Sequence, residues 1–244
     1  MKFAAGTDRG LKREINEDSY RIIPESSQNP SAFIIADGMG GHNCGEVASR
    51  MTVDYISDYI EHSSSQLFSC QDIGEEIKKL VGDANITVFE ASLSKPETNG
   101  MGTTLTMAVI TDSKVTVAHV GDSRLYLARS ANLRQITEDH SYIEELIKNG
   151  SLTREEAESH PRKNVITRAI GSSRDIEVDL MDLEAENGDV FLLCTDGLTN
   201  MICENEIYNI IKDNEPEKAC EQLIDAAKGK GGEDNITVIV IKFE

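Results

Sequence analysis

Apolar runs that end in aspartate with glycine beside it recur along this chain, and they constrain its fold more than any other feature. Such runs lead into Asp37, Asp122 and Asp196, and a fourth acid, Asp234, stands just before the last apolar run. Strands buried in a sheet bring their ends to one rim, so these four carboxylates are expected to meet in one cleft. Carboxylates that meet repel one another and raise one another's pKa unless cations neutralise them.

The chemistry of these acids favours a hard cation. Oxygen-only ligation selects ions such as Mg²⁺ and Mn²⁺, and a glycine such as Gly38 lets the backbone approach an ion and offer a carbonyl. Any single Asp-Gly pair has a simpler interpretation, because this dipeptide often marks a turn. Four acids placed alike beside strands favour a metal site, while each pair taken alone remains open to the turn interpretation.

Charge and cysteine content narrow the class of protein. The 244 residues include 24 basic and 43 acidic side chains, a net charge of −19 that argues against binding nucleic acid or anionic lipid. The five cysteines are odd in number and include no Cys-x-x-Cys pair, which fits reduced thiols. There is no signal-peptide pattern and no apolar stretch near the ~20 residues of a membrane span. We therefore expect a soluble, cytoplasmic protein, with monomer as the default state.

Hydrophobic periodicity predicts strands and helices in mixed order. Strands are predicted at residues 2–7, 31–36, 103–110, 114–120, 124–128, 133–136, 176–183, 190–194 and 236–243. Helices are predicted at 45–62, 72–93, 204–211 and 217–228, and capping boxes at Ser141 and Thr153 open two short ones. Long helices fall between groups of strands joined by short turns. This order favours one α+β domain over residues 1–244, with antiparallel sheets and helices packed outside them.

The segment around Arg13 is a charged turn by itself, but beside a metal centre its guanidinium is suited to bind a phosphate dianion bidentately. An ordered set of motifs runs with it from residue 7 to residue 237: Thr7-Asp8-Arg9-Gly10, Arg13-x-x-Asn16-Glu17-Asp18-Ser19, Asp37-Gly38-Met39-Gly40-Gly41-His42, Gly45-Glu46-Val47-Ala48-Ser49, Met101-Gly102-Thr103-Thr104, Ala118-His119-Val120-Gly121-Asp122-Ser123-Arg124, Thr137-x-Asp139-His140-Ser141, Thr167-Arg168-Ala169-Ile170-Gly171, Cys194-Thr195-Asp196-Gly197-Leu198 and Gly232-x-Asp234-Asn235-Ile236-Thr237. Together they resemble the metal-dependent protein phosphatase family (type 2C), particularly its bacterial serine/threonine phosphatases.

The resemblance implies a fold and a core metal site. The fold is a four-layer sandwich of two packed antiparallel β-sheets flanked by helices, with a flap over residues 141–168 near the active site. The cofactors are two Mn²⁺ or Mg²⁺ ions bridged by Asp37. The Gly38 carbonyl lies on one ion, and Asp196 and Asp234 lie on the other.

The resemblance also implies an outer set of ligands and a mechanism. Glu17 and Asp18 hold metal-bound waters or an ion directly, and Asp122 with Asp196 holds a third, weaker ion. Arg13 binds the substrate phosphate. A hydroxide that bridges the two ions attacks phosphorus directly, without a phospho-enzyme, because the ions lower the pKa of the bridging water.

Histidines at the site depart from the family's pattern. Many eukaryotic relatives carry histidine directly after Asp-Gly, where it is a candidate acid for the leaving oxygen, but Met39 stands there in this chain. His42 lies three residues further on, and its role as the acid is a hypothesis. His119 and His140 are expected to be structural, because lone histidines beside strands usually satisfy local hydrogen bonds.

Other classes of protein fit less well. The chain has no Gly-x-x-x-x-Gly-Lys-Ser/Thr or Gly-x-Gly-x-x-Gly loop for a nucleotide and no Gly-x-Ser-x-Gly of a serine hydrolase. None of its cysteines precedes a phosphate-cradling loop that ends in arginine. A catalytically weak scaffold that binds phosphoproteins is the alternative, although such proteins usually lose the metal acids or the arginine. The expected partners are phosphoprotein substrates and, by family resemblance, a cognate serine/threonine kinase.

Overall fold

Two antiparallel sheets form the centre of the protein. The computed structural model describes residues 1–26, 29–40, 44–69, 73–158 and 160–244, without the side chains of residues 63–69 and 158. One sheet has the strand order β1 (Lys2–Asp8), β11 (Ile236–Lys242), β10 (Val190–Cys194), β7 (Arg124–Arg129) and β8 (Asn132–Gln135). The other has the order β2 (Asp18–Ile23), β3 (Ser31–Met39), β5 (Leu105–Thr111), β6 (Lys114–Val120) and β9 (Asp179–Glu184), with β4 (Gly102–Thr103) paired to the end of β3.

Strand β3 shows why its sequence is apolar at every position from 32 to 36. Phe33 and Ile35 pack into the core between the two sheets, whereas Ile34 and Ala36 pack into the core under the helices. A strand covered on both faces reads as a continuous hydrophobic run rather than an alternating one. The same holds for β10, where Phe191 faces the other sheet and its neighbours face helices.

Helices cover the outer face of each sheet. The long pair α1 (Gly45–Ser69) and α2 (Ile73–Ser94) packs on the sheet that contains β3. The pair α6 (Glu204–Asp213) and α7 (Pro216–Gly229) packs on the sheet that contains β10, beside the single turn α5 (Asp196–Thr199). This arrangement confirms the predicted α+β sandwich of four layers. None of the described helices is both long enough and apolar enough to cross a membrane.

The segment between β8 and β9 carries two short helices, α3 (Tyr142–Lys148) and α4 (Arg154–Glu158). Both begin at the predicted capping boxes. The Ser141 hydroxyl accepts from the Glu144 N–H at 3.2 Å. In the second box the Thr153 hydroxyl accepts from Glu156 N–H, while the Glu156 carboxylate accepts from Thr153 N–H at 2.9 Å. Each helix start therefore satisfies backbone donors that a helix leaves free.

The predicted strands differ from the observed ones in several places, and β3 runs three residues further than predicted, to Met39. Strand β2 was not predicted, because its sequence mixes polar and apolar residues as an edge strand does. The run predicted at residues 103–110 is divided between β4 and β5, and Thr104 between them belongs to neither strand. The strand predicted at 176–183 begins only at Asp179.

Candidate active site

Four aspartates from distant parts of the chain line one cleft. Asp37 lies near the end of β3, Asp122 follows β6 by two residues, Asp196 begins α5 directly behind β10, and Asp234 precedes β11. The cleft has a volume of about 210 Å³, and Arg13 lies at its edge. The two sheets pack face to face, so the ends of β3, β6, β10 and β11 come together at one rim of the sandwich. This rim is where the sequence predicted the acids to meet.

The backbone at Asp37 is fixed from both sides by two neighbouring threonines. The Thr104 hydroxyl accepts from the Asp37 N–H at 2.9 Å, and the Asp37 carbonyl accepts from the Thr104 N–H at 2.9 Å and from the Thr103 hydroxyl at 2.8 Å. Both threonines are buried. The sequence contained them in a motif, but it gave no sign of this role because Asp37 lies 66 residues from Thr103 and 67 from Thr104.

Two glycines allow chain segments to meet closely around the acids. A Cβ atom on Gly38 would lie 2.1 Å from the Gly45 carbonyl oxygen, so no larger residue fits between β3 and the start of α1. Gly121, directly before Asp122, has φ +109°, and a Cβ there would lie 2.6 Å from the Thr104 side chain. The glycines of the sequence pattern therefore serve close packing at the cleft as well as chain reversal.

Asp18 lies behind Asp37 and has one carboxylate oxygen unused. The two residues are direct cross-strand partners in the pairing of β2 with β3. Asp18 Oδ2 accepts from the hydroxyls of Thr195 at 3.0 Å and Thr237 at 2.7 Å. Its Oδ1 is buried and has no hydrogen-bond partner among the described residues. A buried carboxylate oxygen without a donor is costly, and a cation or a cation-bound water would satisfy it.

The carboxylates of the cleft repel one another and are buried, and both effects disfavour their charged forms. Burial, followed by the repulsion of neighbouring carboxylates, raises the pKa values of Asp18, Asp37, Asp122 and Asp196, and it holds the pKa of Asp37 well above its usual range. Burial also raises the pKa of Glu17. A cation among these oxygens reverses the effect because it favours the charged form.

Arg13 neutralises part of this charge. Its Nη2 donates to Asp234 Oδ2 at 2.8 Å, and its Nη1 lies 3.7 Å from Glu17 Oε2. The side chain is 47% exposed, so it reaches across the mouth of the cleft while remaining accessible to a ligand. Its position at the edge of the acidic cleft agrees with the type of group that the sequence suggested for binding phosphate.

The oxygen donors fit hard divalent ions, although they are not closed around one. Among the described residues, no group of three or more histidine, cysteine, aspartate or glutamate side chains is already spaced as a metal ligand set. In the structure Asn200 donates to Asp196 Oδ2 at 3.0 Å, and Arg13 occupies one oxygen of Asp234. The purely oxygen donor set and the unused Asp18 oxygen both fit Mn²⁺ or Mg²⁺.

The histidines separate into two groups. His42 lies outside the described residues, so its hypothesised role as an acid stays a prediction. His119 and His140 are buried with their rings 4.8 Å apart. His140 Nδ1 accepts from the Gly121 N–H at 3.0 Å, and His119 Nε2 bonds the Glu138 carbonyl at 3.0 Å. Both fill local hydrogen-bonding positions beside the cleft, as expected for structural histidines.

The segment over residues 141–168 contributes two residues to the lining of the cleft. Asn164 and Ile166 line it together with the aspartates, and neither was identified from the sequence because an asparagine and an isoleucine in a loop carry no chemical signature. A larger groove of about 820 Å³ lies between this segment and the α5–α6 region, with Ser141 and Asn200 on its two sides. Asn200, which lines the groove, donates to Asp196 Oδ2 in the cleft at 3.0 Å, so this bond links the two.

Comparison with known proteins agrees with the cleft. A family profile for protein phosphatase 2C matches residues 5–225. The serine/threonine phosphatase stp of Listeria monocytogenes is 42% identical over 238 residues, 97% of this chain and 93% of that protein. Protein phosphatase PhpP of Streptococcus pneumoniae is 39% identical over 244 residues, 100% of this chain and 98% of that protein.

Solved structures give the same result. The serine/threonine phosphatase Stp1 of Staphylococcus aureus superposes with a TM-score of 0.93 at 33% identity, covering 99% of this chain and 94% of that one. The catalytic domain of the serine/threonine phosphatase PstP, in complex with two manganese ions, superposes with a TM-score of 0.85 at 33% identity, covering 98% and 96%. As the motifs predicted, the chain belongs to the protein phosphatase 2C family, among proteins named serine/threonine phosphatases.

Proposed function

We propose that this phosphatase removes phosphate from phosphoserine and phosphothreonine in proteins, with Mn²⁺ or Mg²⁺ bound among the acids of its cleft. The observation that carries the proposal is the meeting of Asp37, Asp122, Asp196 and Asp234 in one cleft with Arg13 at its mouth. Phosphate monoesters hydrolyse extremely slowly in water, so their hydrolysis requires strong neutralisation of charge on the transferred group. A cleft that offers carboxylates for cations and a guanidinium for phosphate meets this requirement.

The acids divide into an inner and an outer set. Asp37, the Gly38 carbonyl, Asp196 and Asp234 would hold two ions, in keeping with the two manganese ions of the PstP relative. Asp122 with Asp196 would hold a third, weaker ion. When bound, such ions act as Lewis acids that activate water and neutralise phosphate oxygens.

Two further acids support the inner set from behind. Glu17 and Asp18 would hold ion-bound waters or an ion directly, and the unused Oδ1 of Asp18 supports this role. The Asp18 carboxylate is oriented by the hydroxyls of Thr195 and Thr237, so its free oxygen has a fixed position beside Asp37. Fixed oxygens reorganise little when a cation binds, which favours binding.

Arg13 would bind and orient the substrate phosphate. A guanidinium donates two parallel hydrogen bonds to phosphate oxygens, which fixes both the position and the rotation of the group. In the structure Arg13 donates to Asp234, so substrate binding exchanges a carboxylate for phosphate oxygens on the same guanidinium. Its exposure allows this exchange without a change in the surrounding fold.

The groove beside the cleft supports a protein substrate. Its volume of about 820 Å³ suits the residues that flank a phosphorylated side chain, and the cleft itself, at about 210 Å³, suits the phosphate. The net charge of −19 favours neither nucleic acid nor an anionic membrane as a partner. We further propose that a serine/threonine kinase supplies the phosphoproteins, and that the phosphatase acts as a monomer in the cytoplasm.

Hydrolysis of p-nitrophenyl phosphate and of a phosphothreonine peptide tests this function. Each substrate is incubated with Mn²⁺, Mg²⁺ or EDTA, and the wild type is compared with Asp196→Asn and with Asp182→Asn. Asp182 lies on the edge strand β9 and does not line the cleft. Asp182→Asn is therefore a control that removes the same charge at a different place. We expect metal-dependent release of phosphate that Asp196→Asn abolishes and Asp182→Asn preserves. A folded wild type without turnover in either ion would instead support the phosphoprotein-binding scaffold.

A further inference from the structure

Asn235 ties the start of β11 to a loop more than 200 residues away in sequence. The residue is buried, with 3% of its surface exposed. Its amide Nδ2 donates to the carbonyls of Arg9 and Ile15, both at 2.9 Å. Its Oδ1 accepts from the Glu17 N–H at 2.8 Å. All three bonds go to the backbone of residues 9–17, and they use both donors and the acceptor of the amide.

These bonds close the base of the loop that presents Arg13. Arg9 and Ile15 stand on either side of Arg13, and one amide group holds both of their carbonyls. The intervening residues form no strand or helix, and Leu11, Lys12 and Arg13 are exposed. A loop of this kind has many alternative conformations unless its ends are fixed. The amide therefore restricts the loop on both sides of Arg13, in addition to the bond that the Leu11 N–H donates to the Gly232 carbonyl at 2.7 Å.

The bonds also relate the loop to the acids of the cleft. Asn235 directly follows Asp234, and its backbone N–H donates to Asp234 Oδ1 at 2.8 Å. Arg13 donates to the other oxygen of the same carboxylate. Because the contact to Asp234 uses the backbone of Asn235, truncation of the side chain removes the loop contacts and keeps this one.

We propose that Asn235 is a positioning residue that sets where Arg13 lies relative to the carboxylates of the cleft. The inference rests on the proposed function, in which Arg13 binds the substrate phosphate. An error of about 1 Å in the position of a binding group lowers catalysis by up to about 100-fold. A side-chain amide is required because no other group of this size offers two donors and an acceptor in one plane.

Asn85 provides a matched control. It is also buried, and its Nδ2 donates to the carbonyls of Ser173 at 3.0 Å and Arg174 at 2.9 Å. Its Oδ1 accepts from the Gly171 N–H at 2.8 Å. The number and type of bonds are those of Asn235, but the loop that Asn85 holds does not carry Arg13. Loss of either amide removes three bonds of the same type, so the two variants differ in which loop is released and not in the number of bonds lost.

The experiment compares Asn235→Ala, Asn85→Ala, Arg13→Ala and the Asn235→Ala/Arg13→Ala double variant. KM and kcat for p-nitrophenyl phosphate are measured at saturating Mn²⁺, together with the Mn²⁺ concentration that gives half activation. We expect Asn235→Ala to raise KM about tenfold, and Asn85→Ala to change it less than about twofold. In the Arg13→Ala background, Asn235→Ala is expected to add less than about a further twofold, because residues that act through one group are not additive.

Hydrogen exchange of the metal-free protein gives a second readout that does not depend on activity. The amides of residues 10–17 are expected to exchange at least about tenfold faster in Asn235→Ala than in the wild type or in Asn85→Ala. If Asn235→Ala does not fold, Asn235→Asp replaces it, since aspartate keeps the size and the acceptor for Glu17 N–H and lacks both donors. The same rise in exchange is expected for that variant.

Different failures have different meanings. If the effects of Asn235→Ala and Arg13→Ala on KM multiply, or if Asn235→Ala raises the Mn²⁺ requirement and leaves KM unchanged, Asn235 does not act through Arg13 and the inference is wrong. If Arg13→Ala alone leaves KM unchanged, the assignment of Arg13 in the proposed function is wrong, and this inference with it. Unchanged exchange in residues 10–17 also overturns the proposed restriction of the loop.

Discussion

Arg13 is the only cationic side chain among the described residues that line the cleft. Its guanidinium pairs with Asp234 at 2.8 Å in a protein whose net charge is −19, so among the described residues that line the cleft it alone carries a charge that attracts a phosphate dianion. Lysine retains the charge but loses the two parallel donors. The geometry of the guanidinium and its charge are therefore separable by substitution.

We expect Arg13→Lys to raise KM for p-nitrophenyl phosphate by roughly 3- to 10-fold, and Arg13→Ala to raise it further, because lysine keeps attraction and loses bidentate binding. Steady-state kinetics at saturating Mn²⁺ measure both. Lys12→Ala, which removes an exposed charge from the adjacent position of the same loop, is the control and should change KM less than about twofold. If Lys12→Ala and Arg13→Ala raised KM equally, Arg13 would act only through general electrostatic attraction and not through direct binding of phosphate.

His119 makes a different prediction, about pH and stability. Burial, followed by the nearby His140, lowers the pKa of His119 to about 3. The unfolded chain binds a proton at a pKa of about 6.5, so the folded state is destabilised as pH falls below that value and continues to lose stability towards about pH 3. Between pH 7 and pH 5 this single group contributes a loss of about 2 kcal/mol in the free energy of unfolding.

The measurement is urea unfolding of the wild type and of His119→Asn at pH 7, 6 and 5. Asparagine does not titrate, so the loss of stability between pH 7 and pH 5 should be about 2 kcal/mol smaller in the variant, whatever the difference between the two proteins at pH 7. The acids of the cleft contribute to both proteins equally and cancel in this comparison. Parallel pH profiles would show that His119 is protonated in the folded protein.

Thr104, which lies between β4 and β5, positions the backbone of Asp37. Its hydroxyl accepts from the Asp37 N–H, and it is itself 1% exposed. Thr104→Val keeps the shape and leaves that N–H without a partner, at a cost of about 1 to 3 kcal/mol. It also removes the 2.8 Å bond between the hydroxyls of Thr104 and Ser123. Because the unpaired group belongs to Asp37, we expect a lower free energy of unfolding together with a higher Mn²⁺ concentration for half activation.

Thr116→Val is the control for this prediction. Thr116 is buried in β6 at 2% exposure, and its hydroxyl donates to the exposed Asp182 at 2.8 Å. Water replaces that donor when it is lost, so a smaller loss of stability and an unchanged Mn²⁺ requirement are expected. If both variants shift the Mn²⁺ requirement equally, the effect reflects general loss of stability and not the position of Asp37.

Strands and helices were predictable to the extent that their signals are local. The continuous apolar run at β3 predicted a buried strand, because its residues pack into cores on both faces of the sheet. The two capping boxes predicted the starts of α3 and α4. Strand β2 was not predicted, because an edge strand that mixes polar and apolar residues shows no clear hydrophobic period. The acids were predictable as a set, since each lies at or beside the end of a strand.

The supporting contacts of the site were not predictable from the sequence. Thr104 meets Asp37 across 67 residues, and Asn235 meets Glu17 across 218. The residues next to Thr104 and Asn235 in sequence do not reveal these bonds. The same residue types occur many times on protein surfaces, where they make no such contact. Their partners become evident only when the topology brings β4, β3 and β11 to one rim, which is a property of the whole sandwich.

The charge of the whole protein links metal binding to folding. The acids that line the cleft belong to a chain with 43 acidic and 24 basic residues, so the folded state concentrates negative charge that the unfolded chain spreads out. A divalent ion that binds the folded cleft and not the unfolded chain stabilises the protein by about 2.7 kcal/mol at 100 times its dissociation constant. For a domain of this size such a gain raises Tm by about 5 to 10 °C.

Thermal unfolding in Mn²⁺ therefore separates specific binding from screening of charge. NaCl at the same ionic strength screens the surface and does not fill the cleft, so it should give a clearly smaller rise in Tm. Asp234→Asn removes one carboxylate from the inner set and should lose most of the Mn²⁺-specific rise, whereas Asp182→Asn, on the edge strand, should keep it. If NaCl matches Mn²⁺, or if Asp234→Asn keeps the full rise, the acids of the cleft do not bind the ion in the folded protein. If Asp234→Asn loses the Mn²⁺-specific rise in Tm and Asp182→Asn keeps it, the carboxylates proposed for catalysis are also the ones that bind the metal and stabilise the fold.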